Sequence, residues 1–340
     1  MRILFITATR VGDALLSSGL VAQLAQRHPD ARFTVACGPA AAQLFRGLDQ
    51  LDRLIVIRKR SHGRHWLDLW RQVASTRWDL VVDLRRSALP WLLWTRQRAT
   101  AAKGDGEHKV VTFARTLGFE PPPAPTVWTT DADQRTARDL LGERCPVLAL
   151  APTANWAGKV WPCAHFIDLV ARLTGPSGAL PGAVVFVTGG PGEQEQAQPL
   201  LDAIPQDRLI SAFGLDLPAT AAVFQRCRLF IGNDSGLMHL AAAAGTPTLG
   251  LFGPTDDRLY APWGTSCRVV RTPESKSELV NQPGFDFRTA GSQMASLSVD
   301  AVMAAAHELL ATTGAGPQAR TRATRQAVAT QAPRGLGERA

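Results

Sequence analysis

LFIGNDSGLMHLAAAAG, residues 229–245, reads as a buried strand ending at Gly232, a turn over Asn233, Asp234 and Ser235, and an apolar helix over 236–244 closed by Gly245. A strand that passes through a short polar turn straight into a helix is the repeating unit of a doubly wound α/β sheet. The start of that helix lies at the carboxyl edge of the sheet, where such folds take their ligands. Its free backbone N–H groups and partial positive charge make it a ready phosphate site. Two readings of its polar residues stand side by side. Asp234 or Ser235 is only an N-cap, worth ~1 kcal/mol, with His239 a packed side chain, or Ser235 adds a hydroxyl and His239, one turn on, reaches the same ligand.

The same alternation extends in both directions. Strands are expected at residues 2–7, 32–36, 54–57 and 80–82, with a turn at Gly12 and Asp13 and a helix whose face is Leu16, Leu20, Val21 and Leu24. A further helix is expected around Trp66, Leu67, Leu69, Trp70 and Val73. Residues 119–130, FEPPPAPTVWTT, hold four prolines and are the linker candidate. A second series follows, with strands at 147–151, 183–188, 208–210, 229–232 and 248–252, helices around 163–173, 219–226 and 237–244, and a terminal helix over 298–310. The expected fold class is α/β, two Rossmann-like doubly wound domains facing across a cleft. Domain one covers residues 1–122 and domain two residues 123–311, the last helix (298–311) packing back on the first domain.

Composition bounds the function. The chain has 340 residues, 45% hydrophobic and 19% charged, which suits two globular domains and excludes a largely disordered or fibrous chain. Five scattered cysteines without a C-x-x-C pair argue against a disulfide framework or zinc knuckle and fit a reducing cytoplasm. The longest uncharged stretch, 235–255, is broken by glycines and prolines, so no transmembrane span is expected. The net charge is +8, and half of it comes from five arginines and one glutamate after residue 311. That basic tail, 312–340, has little to bury and is expected to stay disordered. A second basic cluster, Arg58, Lys59, Arg60 and Arg64 with His62 and His65, is either a solvated loop or a site for an anionic substrate or anionic lipid surface. Specific nucleic-acid binding is not expected.

Other candidate residues follow strand ends. Lys159 lies in a loop after strand 147–151, where an ammonium would neutralise a diphosphate, though an exposed lysine is the plainer reading. Gly189-Gly-Pro-Gly-Glu193 permits close backbone approach, with Glu193 able to accept from ribose hydroxyls, or is simply a strand–helix turn. Asp13 follows the first strand and faces the same cleft, either as a helix cap or as a base that removes a proton from an acceptor hydroxyl, with Arg10 beside it. Asp131-Ala-Asp133 spells a D-x-D metal motif, but Thr130 precedes Asp133 by a capping-box spacing and is read as a cap. The first strand lacks G-x-G-x-x-G, which disfavours a nicotinamide dehydrogenase.

Taken together these segments resemble glycosyltransferase family 9, the ADP-heptose:lipopolysaccharide heptosyltransferases, over residues 1 to about 311. The opening MRILFI with Gly12-Asp13, then Lys159-Val-Trp-Pro162, then residues 232–247 with Leu251-Phe-Gly-Pro-Thr-Asp256, and the closing segment from Met294, carry the likeness. The resemblance implies a GT-B fold, the acceptor in the first domain and the nucleotide-sugar in the second. It implies inverting, metal-independent transfer of a heptose from ADP-heptose, a substrate and not a cofactor, to a lipid-linked lipopolysaccharide core acceptor. The enzyme would be a monomer on the cytoplasmic face of the anionic inner membrane. Asp13 would be the general base and Lys159 would bind the donor phosphates. Asn155, Asp234, Ser235, Gly236, Leu237 and His239 would line the donor site, and Glu193 would hold the ribose. Arg10, Gly12, Lys59, Arg60 and Arg64 fall on the acceptor side. The alternatives are a GT-B transferase of another nucleotide-sugar, an epimerase, or a catalytically silent nucleotide-sugar-binding protein.

Overall fold

The computed structural model describes residues 1–314; the basic tail lies almost entirely outside them. The first half begins with β1 (Arg2–Ile6), α1 (Val11–Leu16) and α2 (Ser18–Arg27), then β2 (Arg32–Cys37), a 3-10 turn (Ala41–Phe45) and β3 (Leu51–Val56). It continues with α3 (Arg64–Val73), β4 (Trp78–Asp83), a 3-10 turn (Leu89–Leu92), β5 (Thr95–Thr100) and α4 (Lys109–Arg115). The strands form one parallel sheet in the order β3-β2-β1-β4-β5. The chain therefore leaves β1 in one direction for β2 and β3 and in the other for β4 and β5, which makes the β1/β4 junction a topological switch point.

The second half repeats the plan. It runs through α5 (Asp131–Leu141), β6 (Val147–Ala151), α6 (Cys163–Thr174), β7 (Val184–Val187), α7 (Gln194–Ala203), β8 (Leu209–Ser211) and α8 (Leu217–Phe224). Then come β9 (Leu229–Asn233), α9 (Gly236–Ala243), β10 (Thr248–Phe252), α10 (Asp257–Tyr260), β11 (Cys267–Arg271), α11 (Lys276–Val280) and α12 (Val299–Thr312). Its parallel sheet has the order β11-β10-β9-β6-β7-β8, with the switch point between β6 and β9. Strands β1, β6, β9 and β10 are almost wholly buried, as strands covered on both faces by helices must be.

Several expectations change. The first helix is two, broken at Ser17, whose hydroxyl bonds the Ala14 carbonyl and meets Thr7 Oγ1 at 2.7 Å. Gly12 and Asp13 lie inside its first turn, not before it. β5 and β11 were not expected, because neither carries a run of buried apolar residues. In β5, TRQRAT, only Ala99 is buried, so there is no apolar run to read. The terminal helix α12 does not pack back on the first domain. It lies against α6, β10 and β11, because Val302, Ala306 and Leu309 are fully buried in the second half's own core. The D-x-D decoy is a cap as read, since Thr130 and Asp133 form a reciprocal capping box at α5.

The proline-rich stretch is a docked strap. The Thr126 N–H donates to Ser18 Oγ at 2.7 Å, and Trp128 packs on Phe45 with ring centroids 5.9 Å apart. At Gly19 the strap comes so close that an added Cβ would sit 2.5 Å from the Pro123 and Ala124 carbonyl oxygens. Both obstacles are backbone and cannot swing away. Gly19→Ala is therefore expected to lower stability by about 1–3 kcal/mol, read as a fall in the urea midpoint with an unchanged slope.

Candidate active site

Three loops leave the two switch points and meet. β1 runs into α1, so its first turn carries Gly12 and Asp13. β6 runs into the loop that ends in a 3-10 turn at Ala157–Lys159, and β9 runs through Asn233–Ser235 into α9. The two halves touch where α1 abuts α9. An added Cβ at Gly12 would lie 3.1 Å from His239 Cδ2, and one at Gly236 would lie 3.1 Å from Val11 Cβ. A Cβ at either position would be tighter than most real contacts, so glycine suits this approach best.

The second half presents a helix start with unspent hydrogen-bonding capacity. Ser235 occupies the N-cap of α9 in an extended conformation, but its hydroxyl makes no cap bond. Ser235 Oγ and His239 Nδ1 are buried and lack hydrogen-bond partners among the described residues. Orphaned buried polar atoms cost free energy and need an explanation. Lys159 Nζ stands over the same turn, 2.7 Å from Asp234 Oδ2, with the two side chains 22% and 8% exposed. Such a shielded pair keeps more of its Coulomb attraction than a surface pair, at the cost of desolvation. The turn itself is braced by Asn233, whose side-chain N–H donates to the Pro152 carbonyl at 2.8 Å and whose Oδ1 accepts from the Trp161 N–H at 3.1 Å.

The first half brings Asp13 to this turn. Burial raises its carboxyl pKa above the ordinary carboxylate value. The nearby charges of Arg10, Lys109 and Lys159 act in the opposite direction, and Asp234 adds to the rise. Asp13 is not a helix cap: α1 has Arg10 at its N-cap, and no side chain caps it.

Residues beyond the sequence reading complete the rim. His108 bridges the halves: its Nε2 lies 3.0 Å from the Ala261 carbonyl while its Nδ1 accepts from the Val110 N–H. Those partners fix the neutral, Nε2-protonated form, in keeping with a pKa pushed down by burial. Lys109 Nζ lies 5.8 Å from the centre of the Tyr260 ring, and burial together with the Asp13 and Asp234 charges raises the Tyr260 hydroxyl pKa. No local motif marks these residues, since each gains its place only when α4 and α10 meet across the cleft.

Other candidates fall less centrally. The Glu193 carboxylate is already engaged, accepting from Thr153 Oγ1 at 2.5 Å and the Gly190 N–H at 2.8 Å, so it holds the β6 and β7 loops together. Asn155 is exposed in the Lys159 loop, and Leu237 is half-buried in the first turn of α9. Lys59, Arg60 and Arg64 are exposed after β3, at the sheet edge. Arg60 pairs with Asp68 at 3.0 Å, and none of the three is among the charges that act on Asp13. Among the described residues no group of three or more His, Cys, Asp or Glu side chains is placed to hold a metal ion.

The chain is similar to known proteins over most of its length. Residues 83–284 match the sequence family described as "Glycosyltransferase family 9 (heptosyltransferase)". Lipopolysaccharide heptosyltransferase 1 of Salmonella typhimurium is 22% identical over 81% of this chain and 95% of its own length. Lipooligosaccharide heptosyltransferase 2 of Haemophilus influenzae is 25% identical over 81% and 90%. Among solved structures, a family 9 glycosyltransferase from Veillonella parvula superposes with a TM-score of 0.74 at 20% identity, covering 92% of this chain and 97% of its own. E. coli ADP-heptose LPS heptosyltransferase II gives 0.71 at 19% identity, covering 93% and 100%. The architecture is GT-B.

His239 supplies a pH prediction. Burial lowers its pKa from 6.5 to about 4. Between those values the unfolded chain binds a proton that the folded chain does not. Its contribution to stability is complete above pH 6.5 and is lost as the pH falls towards about 4. The loss amounts to about 3 kcal/mol. Urea melts across this window should show the slope, and His239→Gln should flatten it; an equal slope in the variant would assign the pH dependence to other groups.

Proposed function

The chain belongs to glycosyltransferase family 9, and from that membership we propose that it moves a heptose from ADP-heptose to a lipid-linked lipopolysaccharide core acceptor, with inversion and without a metal ion. The observation that carries this reading is the meeting of Asp13 from one half with the Lys159–Asp234 pair and the uncapped α9 start from the other. The donor is assigned to the second half and the acceptor to the first.

Inversion needs a base on one face of the anomeric carbon and stabilisation of the leaving group on the other. The two requirements fall to opposite halves. Asp13 takes the proton from the acceptor hydroxyl as that oxygen bonds to the anomeric carbon. Its raised pKa makes it a stronger base than an ordinary surface carboxylate. The bond from the sugar to the diphosphate breaks on the far side. The charge that builds on the diphosphate is met by Lys159, the N–H groups at the start of α9 and the Ser235 hydroxyl. Asp234 acts through Lys159: its carboxylate holds the ammonium over the helix start, so the cation is oriented before the donor arrives.

Two measurements test this. Asp13→Asn should keep donor binding by calorimetry yet lose turnover by about 10²–10⁴-fold, and unchanged turnover would remove Asp13 from the mechanism. The same variant should be more stable than the parent at neutral pH, because a carboxyl with a raised folded pKa destabilises the fold as pH rises through its titration; the difference should vanish in acid. Lys159→Met should cost about 10²–10³-fold in turnover and weaken ADP binding as well. Titration with ADP, UDP and GDP should show binding of ADP alone; preference for another base would change the donor.

A further inference from the structure

The large apolar side chains left in water are not scattered. Eight are exposed among the described residues, and five of them lie together in the chain's first half: Leu67 and Trp70 on α3, Trp91 and Leu92 on the 3-10 turn after β4, and Trp94 just before β5. Trp91, Leu92 and Trp94 are 70%, 64% and 71% exposed. Protein contacts elsewhere do not account for them, and a concentrated apolar patch marks an interaction surface. The patch has a defined shape. The Trp70 Nε1–H donates to the Leu92 carbonyl at 3.2 Å, and between α3 and the turn lies a groove of about 550 Å³ floored by Trp66, Leu67, Trp70, Ala88, Leu89 and Leu92.

Its charge is as one-sided as its hydrophobicity. From residue 58 to 98 the chain has ten Arg or Lys against three Asp, and one of those, Asp83, is fully buried in bonds to the Arg85 and Ser87 amides. Three of the arginines stack on the tryptophans: Arg77 over Trp94 at 4.9 Å, Arg98 over Trp91 at 5.5 Å and Arg85 over Trp66 at 5.1 Å. Arg85 also buries one guanidinium N–H group, on Nη1, that has no acceptor among the described residues.

We propose that this face of the first half, built on α3 and the Leu89–Leu92 turn, docks on the surface of an anionic phospholipid bilayer. Trp rings sit at the headgroup level with their apolar bodies towards the acyl chains, and arginines beside them reach the phosphates. Juxtamembrane basic residues add attraction to anionic lipid. A second copy of this chain suits the patch poorly, because a two-fold interface would set the same arginines against each other. The groove is flanked by Ser87 and Ala88, which follow β4. β4 is the hydrogen-bonded neighbour of β1, with Asp83 opposite Ile6. From that end, which Asp13 shares, the patch runs along the flank of the sheet to Trp94, whose carbonyl accepts from the Trp78 N–H at the start of β4, so docking lays this flank on the membrane in which a lipid-linked acceptor is presented. The proposal deepens the functional reading above and rests on it for that acceptor, but lipid binding is measured without any sugar transfer.

The full-length chain is floated with vesicles of phosphatidylcholine alone and of phosphatidylcholine with phosphatidylglycerol. Binding is expected to the anionic vesicles and to weaken with salt. The combined variant Trp91→Ala, Leu92→Ala, Trp94→Ala should bind them about tenfold more weakly or less, with unchanged turnover on an acceptor stripped of its acyl chains. If the triple variant does not fold, Trp91→Ser and Arg96→Gln are read instead, both at exposed positions. Equal vesicle binding by variant and parent would overturn the proposal, as would failure of the parent to bind anionic vesicles. A concentration-dependent dimer that the substitutions abolish would assign the patch to a second copy. Loss of transfer with vesicle binding intact would fault the functional reading and leave the docking surface standing.

Discussion

The starts of α1 and α9 meet with little but glycine backbone between them, and the geometry of the candidate site follows from that contact. Gly12 faces the His239 ring and Gly236 faces Val11, each so close that an added Cβ would fit only if the facing side chain gave by a few tenths of an ångström. A larger residue at either position would press on the side chain facing it, at the contact that sets α1, and Asp13 with it, against α9. The closeness also explains why His239 is buried and held neutral. It fills the wedge behind the contact, where a charged imidazolium would be poorly solvated.

Around that contact the charges are arranged in opposition. Asp13 is half-buried, with Arg10, Lys109 and Lys159 acting on it from one side of the balance and the Asp234 carboxylate, paired with Lys159, from the other. Burial and the cations pull the carboxyl in opposite directions, and burial prevails. The Lys159–Asp234 pair is partly removed from water, so part of its attraction is spent on desolvation. What the pair secures is direction: the ammonium is held over a helix start whose serine hydroxyl has no other partner. An anion entering there meets donors already in place and needs little reorganisation of the protein.

The two sheets have the same logic and opposite uses. Each reverses its strand order once, and each places its chemistry at that reversal, where neighbouring connections leave on opposite faces and open a crevice. The electrostatic character then separates. The first half gathers basic and aromatic side chains along α3 and the segment from β4 to β5, and the second offers backbone amides and the Lys159 ammonium at its switch point.

Much of this was written in the local sequence. The α/β alternation, the buried strands β1, β6, β9 and β10, the cap at Thr130 and the strand–turn–helix of residues 229–245 are short-range patterns, so hydrophobic periodicity and turn residues reveal them. Asp13, Lys159 and Ser235 were legible because each follows a strand that pattern alone identifies. The edges β5 and β11 were not, since an edge strand needs no apolar run. The proline strap read as a linker because composition cannot show that Gly19 leaves a seat for it. The packing of α12, the His108 bridge, the place of Lys109 and Tyr260 and the joining of Trp70 to the Leu92 turn were decided by tertiary structure alone. They depend on residues far apart in the chain becoming neighbours, and no one-dimensional spacing encodes which helix closes on which.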